Sequence, residues 1–324
     1  MRYAWIKSQE GTFSVKAMCR VLQVRRSGYY AWKRPRASER EAEGQRLDEA
    51  ICRHFEAHKG RYGSPRVTEE LKAEGWRVFA TCRKEADCER LRAEGLESFR
   101  LDYADAETIA AAVEEAVSRT GGTLDALFNN GAHACPGAVE DLPTGALREI
   151  FEVNIFGQHE LTRRVIPVMR AQGHGRIVNC SSVLGLVPLR WRGAYVATKY
   201  AMEGLTDVLR LEMADTPIKV ILIEPGPVTS RIRLNSIPHF ERWIDWRRSP
   251  RAEQYRASLL KRLYERRGPD RFELPPAAVT AKLLRALEAP NPAPRHFVTM
   301  PTHLMNLARR ALPTRALDWL IARG

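Results

Sequence analysis

The stretch Arg176-Ile177-Val178-Asn179-Cys180-Ser181-Ser182 decides the fold. An apolar run that ends in small polar residues is the pattern of a short buried strand delivering a hydroxyl at its carboxyl end. Thirteen positions after Ser182 comes Tyr195, in Tyr195-Val196-Ala197-Thr198-Lys199. Positions i and i+4 of a helix share a face, so the Tyr195 phenol and the Lys199 ammonium reach one site. A free phenol has a pKa of roughly 10 and is a poor acid or base at neutral pH. A fixed positive charge beside it favours the phenolate and lowers that value. With Ser182 hydrogen-bonding a substrate oxygen, the trio reads as a proton-transfer site for interconverting a carbonyl and an alcohol.

Outward from this stretch, strands and helices alternate. Arg77 to Cys82 reads as a short strand, Ala106 to Arg119 as a helix rich in Ala and Glu, and Leu124 to Asn130 as a strand ending in polar residues. Lys219 to Gly226 is a further strand with a sharp stop at Pro225-Gly226. Such alternation predicts an α/β fold, a parallel sheet covered by helices on both faces, with ligands at the carboxyl ends of the strands. Asn129, Ser182 and Pro225-Gly226 all fall at such ends, which points to one site.

The chain has 324 residues, 44% of them hydrophobic, enough for a full core. Runs such as Val220 to Ile223 are far too short to span a bilayer, and the N-terminus shows no apolar leader segment. The six cysteines are scattered, without a C-x-x-C pair or a Cys/His metal spacing, so a reduced, cytoplasmic protein with no metal is expected. Cys82 and Cys180 read as core fillers.

The net charge of +13 is uneven: residues 1–75 carry 16 Lys/Arg against 10 Asp/Glu. This surplus suits nucleic acid or another polyanion, or simply a solvated basic surface. Within it, residues 14–32 read as two short helices with a break. Ser14 is the expected N-cap, and Val15, Met18, Cys19 and Leu22 form an apolar stripe at helical spacing. A second helix rich in Arg and Tyr can enter a major groove. Residues 38–59 form a charged amphipathic stretch, and Gly60 to Arg66 a turn-rich break before another helix.

Two resemblances follow. The run Ser14 to Cys19, then Ser27-Gly28-Tyr29-Tyr30-Ala31-Trp32, then Arg61 to Arg66, resembles the helix-turn-helix-like N-terminal region of insertion-sequence transposases over about residues 1–72. The acidic catalytic domain of that family does not follow, so the resemblance implies DNA binding at most. From about residue 73 to 324 the chain resembles the classical short-chain dehydrogenase/reductase family. Asn129-Asn130-Gly131-Ala132 matches its strand-end motif with Gly and Ala exchanged. Asn154, Ser182, Tyr195 and Lys199 match its catalytic members, Pro225-Gly226-Pro227-Val228 its nicotinamide motif, and Ser230 stands where Thr is usual.

That resemblance implies roles. Tyr195 exchanges the proton at the substrate oxygen, Lys199 lowers the Tyr195 pKa and binds the cofactor ribose, Ser182 holds the carbonyl, and Asn154 orders a water that feeds protons to Lys199. Arg83, directly after the second strand of the family's order, implies NADP rather than NAD. Asp102 matches a position near the adenine, and Asn129, Gly131, Pro225, Gly226, Val228 and Ser230 complete the cofactor-binding set. Ile232, Leu234, Ile237, Phe240 and Trp243 make the region after residue 230 apolar enough for a lipophilic alcohol or ketone. The closing stretch from Leu304 to Leu320 reads as amphipathic helices that dock on the body, contact another copy or touch a membrane surface.

One expected part is missing. The family opens with a buried strand and a glycine-rich turn that lets backbone approach the pyrophosphate. Counting back from Trp76, those glycines should fall near His58, Tyr62 and Ser64, while Gly60 and Gly63 are out of phase. The expected fold is therefore an incomplete Rossmann-like doubly wound parallel sheet over residues 73–324, preceded by a small all-helical segment over 1–72. NADP binding is expected to be weak or absent. Three functions are open: an NADP-dependent oxidoreductase, possible as a homo-oligomer; a DNA-binding transposase-derived protein; or an inactive chimeric fusion product.

Overall fold

The structure, a computed structural model, describes residues 2–33, 64–265 and 268–323. The charged stretch 38–59 and positions 58 and 62 lie outside the described residues. The chain divides into two compact units, residues 1–60 and 61–324.

The smaller unit holds α1 (Arg2–Ser8), α2 (Val15–Val21) and α3 (Arg26–Lys33). Ser14 caps α2, its hydroxyl accepting from Ala17 N at 3.3 Å, which satisfies one of the free amides of the first turn. Met18 and Cys19 are buried with Ile6 and Tyr29, and Val15 and Leu22 pack against them, so the expected stripe is the core of this unit. Gln23, in the left-handed region at φ 52°, turns the chain between α2 and α3.

The larger unit opens with α4 (Ser64–Ala73), β1 (Phe79–Cys82), α5 (Glu85–Ala93), β2 (Glu97–Arg100), α6 (Ala106–Thr120) and β3 (Ala126–Asn129). It continues through α7 (Thr144–Phe151), a π-helical turn over Glu152–Phe156, α8 (Gly157–Gln172), β4 (Gly175–Cys180), α9 (Gly193–Glu212) and β5 (Ile218–Glu224). It closes with α10 (Ile232–Trp243), α11 (Ala252–Gln254), α12 (Leu260–Tyr264), α13 (Ala277–Glu288), β6 (Arg295–Phe297), α14 (Met300–Ala311) and α15 (Thr314–Arg323).

The strands form two parallel groups. β1 pairs with β2, and a four-stranded sheet runs β3-β4-β5-β6. Alternation along β4 and β5 divides the core, because successive side chains leave opposite faces. Val178, Ile221 and Ile223 face Val67 and Leu71 of α4 and Val279, Leu283 and Leu287 of α13. Ile177, Ile218 and Val220 face Ile109 and Ala112 of α6 and Leu161, Val165 and Met169 of α8. Helices thus cover both faces, as expected for a doubly wound sheet.

Two features bear on the sequence reading, and the second accords with the expected loss of the first strand. The division between units falls at residues 60 and 61 rather than 72 and 73, because Val67 and Leu71 are buried in the larger unit and carry all of α4 with them. Among the described residues, no strand pairs with the free edges of β1 and β3. A cavity of about 880 Å³ lies there, lined by Leu71, Phe79, Phe99 and Leu101 on one side and by Leu127 and Val165 on the other. No helix among the described residues is long and apolar enough to cross a membrane.

Candidate functional site

The carboxyl ends of β3, β4 and β5 gather the expected residues. Asn129, at the end of β3, is buried and its amide donates to Asn179 Oδ1 (2.9 Å) and Thr162 Oγ1 (3.1 Å). Asn179 in turn donates to Thr206 Oγ1 of α9 at 2.9 Å, and the Tyr103 hydroxyl donates to Asn129 Oδ1 at 3.3 Å. This buried chain locks the two strand ends to α8 and α9, and each polar group in it has a partner. Asn179, Thr162, Thr206 and Tyr103 escaped the sequence reading, since single polar residues inside strands and helices carry no periodic signature.

Asn154 sits in the π-helical turn, a distortion that often marks functional positions. It is wholly buried; its Oδ1 accepts from His133 N (3.1 Å), and its amide donates to His133 O (3.0 Å) and Thr198 Oγ1 (3.2 Å). It therefore clamps the loop after β3 to α9 beside Lys199. Gly157, at the start of α8, lies so close to the Tyr103 carbonyl that a Cβ would collide with it. Gly131 lies against the Tyr103 ring, and its carbonyl accepts from Gln158 Nε2 at 2.6 Å.

Ser182 follows β4 and begins a short 3-10 turn, its Oγ accepting from Leu184 N at 3.1 Å. Its hydroxyl is close enough to the Tyr195 phenol to favour that group's charged form. Lys199 is 2% exposed; its Nζ donates to Cys180 O at 2.7 Å and lies 5.5 Å from the Tyr195 ring centroid. Ser182, Tyr195 and Lys199 are thus brought together, with Asn154 one hydrogen bond from Thr198.

The electrostatics bear on the expected roles. Burial pushes the Tyr195 phenol above its ordinary pKa, while the Ser182 hydroxyl and the Arg192 charge oppose this. Burial likewise lowers the Lys199 ammonium, because desolvation disfavours its charged form. In this structure the phenol holds its proton. Arg192 itself is driven down to about 10 by burial. Its neighbour Trp191 has φ 68°, a strained conformation for a bulky residue, and its ring lies against Tyr255 with centroids 4.6 Å apart.

The remaining expected residues scatter along the same rim. Pro225 O accepts from Val183 N at 2.7 Å, and Gly226 lies so close to Thr299 Oγ1 that no Cβ fits there. Val228 bridges to Leu274, and Ser230 is exposed. Arg83 is exposed after β1, and its charge is felt at His133. Asp102 Oδ1 accepts from Ala104 N at 3.0 Å, a turn-capping role. Phe240 of α10 is buried and Ile237 and Trp243 pack beside it, while Ile232 and Leu234 are exposed.

The fit to a dinucleotide is partial. The residues expected at a nicotinamide and its ribose converge, and Lys199 keeps one donor beyond its bonds to Cys180 O and Met202 Sδ. At the phosphate end, the residues that precede α4 lie outside the described residues, and the cavity lies where β1 and β3 fail to meet. Among the described residues, the group is matched at its nicotinamide end.

The sequence and the structure have known counterparts. Residues 65–239 match the family model described as short chain dehydrogenase. The uncharacterized oxidoreductase YbbO of Escherichia coli K12 is 34% identical over 252 residues, covering 78% of this chain and 87% of that protein. Retinol dehydrogenase 16 of Mus musculus is 34% identical over 268 residues, covering 79% and 83%. A short-chain dehydrogenase from Streptomyces avermitilis superposes with a TM-score of 0.60 at 27% identity, covering 79% of this chain and 89% of that one. The family match begins inside α4. With these matches and the gathered strand-end residues, the chain belongs to the short-chain dehydrogenase family of oxidoreductases.

Proposed function

We propose that this oxidoreductase interconverts a lipophilic alcohol and its carbonyl with NADP, and that its cofactor affinity is low. The observation that carries the reading is the convergence of Ser182, Tyr195 and Lys199 at the end of β4, tied through Thr198 to Asn154. When bound, the cofactor supplies the hydride. Ser182 orients the carbonyl oxygen and Tyr195, already protonated, donates its proton there. Lys199 and Asn154 form the inner end of the path that returns a proton to the phenol. Arg83, exposed at the rim, supports a 2′-phosphate on the ribose. Exposed Ile232 and Leu234 support an apolar substrate, as does one relative's name, a retinol dehydrogenase. A cytoplasmic setting accords with the free state of Cys19, Cys82, Cys88, Cys135 and Cys180. Exposed Leu205, Val208 and Leu211 on α9 support contact with a second copy.

The test is a fluorescence titration of the purified chain with NADPH, followed by carbonyl-dependent NADPH oxidation by wild type and Tyr195→Phe. Turnover lost in the variant supports the reading; equal turnover in both removes Tyr195 from it. Failure of NADPH to bind at all makes the fusion-product reading the better one.

A second reading concerns the small helical unit. Lys16, Arg20, Arg25 and Arg26 are exposed on or beside α2 and α3, and the turn at Gln23 separates the two helices. This supports the helix-turn-helix resemblance and contact with DNA phosphates. A salt-sensitive gel shift by the full chain, weakened by Arg25→Ala with Arg26→Ala, is its test.

A further inference from the structure

His133, Glu149 and His239 are far apart in sequence and come from the loop after β3, from α7 and from α10. Each offers one ligand atom, and these atoms all lie within 4.8 Å of one another. His239 Nδ1 is 2.8 Å from Glu149 Oε1, and His133 Nε2 is 4.0 Å from the same oxygen. The two imidazoles are stacked, centroids 4.1 Å apart and planes inclined by 20°.

The other carboxylate oxygen is held apart from them. Glu149 Oε2 accepts from Arg242 Nη1 (2.9 Å) and Trp243 Nε1 (3.2 Å). The carboxylate is thus fixed through one oxygen and presents the other to both imidazoles. Such outer hydrogen bonds are what orient a metal-ligating carboxylate. The backbone of His133 is fixed as well, since Asn154 bonds both its N–H and its carbonyl. The cluster is sheltered, with side-chain exposures of 13% for His133, 25% for Glu149 and 21% for His239.

We propose that His133, Glu149 and His239 form a binding site for Zn²⁺. Two imidazole nitrogens and one carboxylate oxygen are an established zinc donor set, leaving a fourth position for water. Bonds of about 2.0–2.2 Å bring donor pairs within roughly 4 Å of each other. The His133 and Glu149 atoms already meet that limit, and binding requires the two stacked rings to turn until both nitrogens point at one ion. The His239 hydrogen bond to Oε1 gives way to the ion, while Arg242 and Trp243 keep Oε2. The bound ion fastens α10, the helix proposed to line the substrate side, to α7 and to the loop that Asn154 clamps.

The test uses the full chain, free of any histidine tag and treated with a chelator. Co²⁺ is titrated in and its visible spectrum recorded, then Zn²⁺ is added as competitor, and melting is followed with and without Zn²⁺. The expected result is one Co²⁺ per chain with the intense bands of a four-coordinate site, displaced by Zn²⁺, and a melting temperature raised by Zn²⁺. His133→Ala and His239→Ala each weaken binding at least tenfold. His239→Asn, which keeps a hydrogen-bonding side chain beside Glu149, does the same if the alanine variants fail to fold. His174→Ala serves as control, since His174 pairs with Asp125 at 2.7 Å away from the trio and leaves binding unchanged. Absence of the intense bands, or equal affinity in wild type and the folded His133 or His239 variant, overturns the proposal; the trio is then a hydrogen-bonded latch holding α10. None of these readouts depends on NADP or on turnover.

Discussion

Lys199 Nζ stands 5.5 Å from the centroid of the Tyr195 ring and donates its hydrogen bond to the Cys180 carbonyl, 2.7 Å away. The ammonium is anchored to the strand while the phenol, raised by burial, keeps its proton. An acid in this state is ready for carbonyl reduction and is not yet a base for alcohol oxidation.

The direction of catalysis should therefore set its pH dependence. Reduction needs the phenol, so its rate should stay nearly flat from about pH 6 to 9. Oxidation needs the phenolate, so its rate should climb with pH until the chain unfolds. Tyr195→Phe should lower both by about 10²–10⁴-fold. Initial rates in the two directions across that range check this; an oxidation rate that levels near neutrality would show that cofactor binding brings the phenol down.

Glu224 gives a stability prediction with a defined sign. It is wholly buried at the end of β5, and desolvation, then the neighbouring Glu203, push its carboxyl up to about 7 although Arg295 Nη1 lies 2.6 Å away. The folded state then binds more protons than the unfolded state between the ordinary carboxyl pKa and about 7. Stability should fall as pH rises through that window, by about 1–3 kcal/mol. Glu224→Gln should flatten the curve, because the amide has nothing to lose. Melts from pH 5 to 8 on both proteins measure it; parallel curves would remove Glu224 as the cause.

Among the described residues the outer edges of β1 and β3 are unpaired, and this should be visible in solution. A strand with one neighbour leaves alternate amides without a ladder partner. Within Ala126–Asn129, amides facing β4 should exchange slowly and those facing the cavity quickly, whereas both sets in β4 should be slow. Residue-resolved hydrogen exchange reads this directly. Uniform protection along β3 would mean that something else covers its outer edge.

The sequence yielded those parts of the molecule whose physics is local. Ser14 as a cap, the stripe from Val15 to Leu22 and the strand from Lys219 to Glu224 are legible because capping and periodicity act over a few residues. The spacing of Ser182, Tyr195 and Lys199 is legible because one strand end and one helix bring them together. The short strands Glu97–Arg100 and Arg295–Phe297 were missed, since their few residues lack a clear alternation. The grouping of His133, Glu149 and His239 was invisible for another reason: three elements supply it, and no spacing rule joins them. The raised phenol of Tyr195 depends on burial, which no count along the chain reports.

Helix α4 tests where the larger unit begins. Its side chains Val67 and Leu71 are buried against Val178 and Ile221 of the sheet and Leu283 and Leu287 of α13. Leu71 is 6% exposed and also borders the cavity between the sheet edges, so its neighbours have little reason to collapse into a vacated space. Leu71→Ala should cost about 2–5 kcal/mol, the transfer term plus an unfilled cavity. Tyr29, buried in the smaller unit, provides the contrast, because Tyr29→Ala removes the centre of the packing around Ile6, Met18 and Cys19. If α4 belongs to the dehydrogenase body, Leu71→Ala should shift the main melting transition by several degrees and Tyr29→Ala should leave it in place. The opposite order would return α4 to the N-terminal segment and move the boundary back toward residue 72.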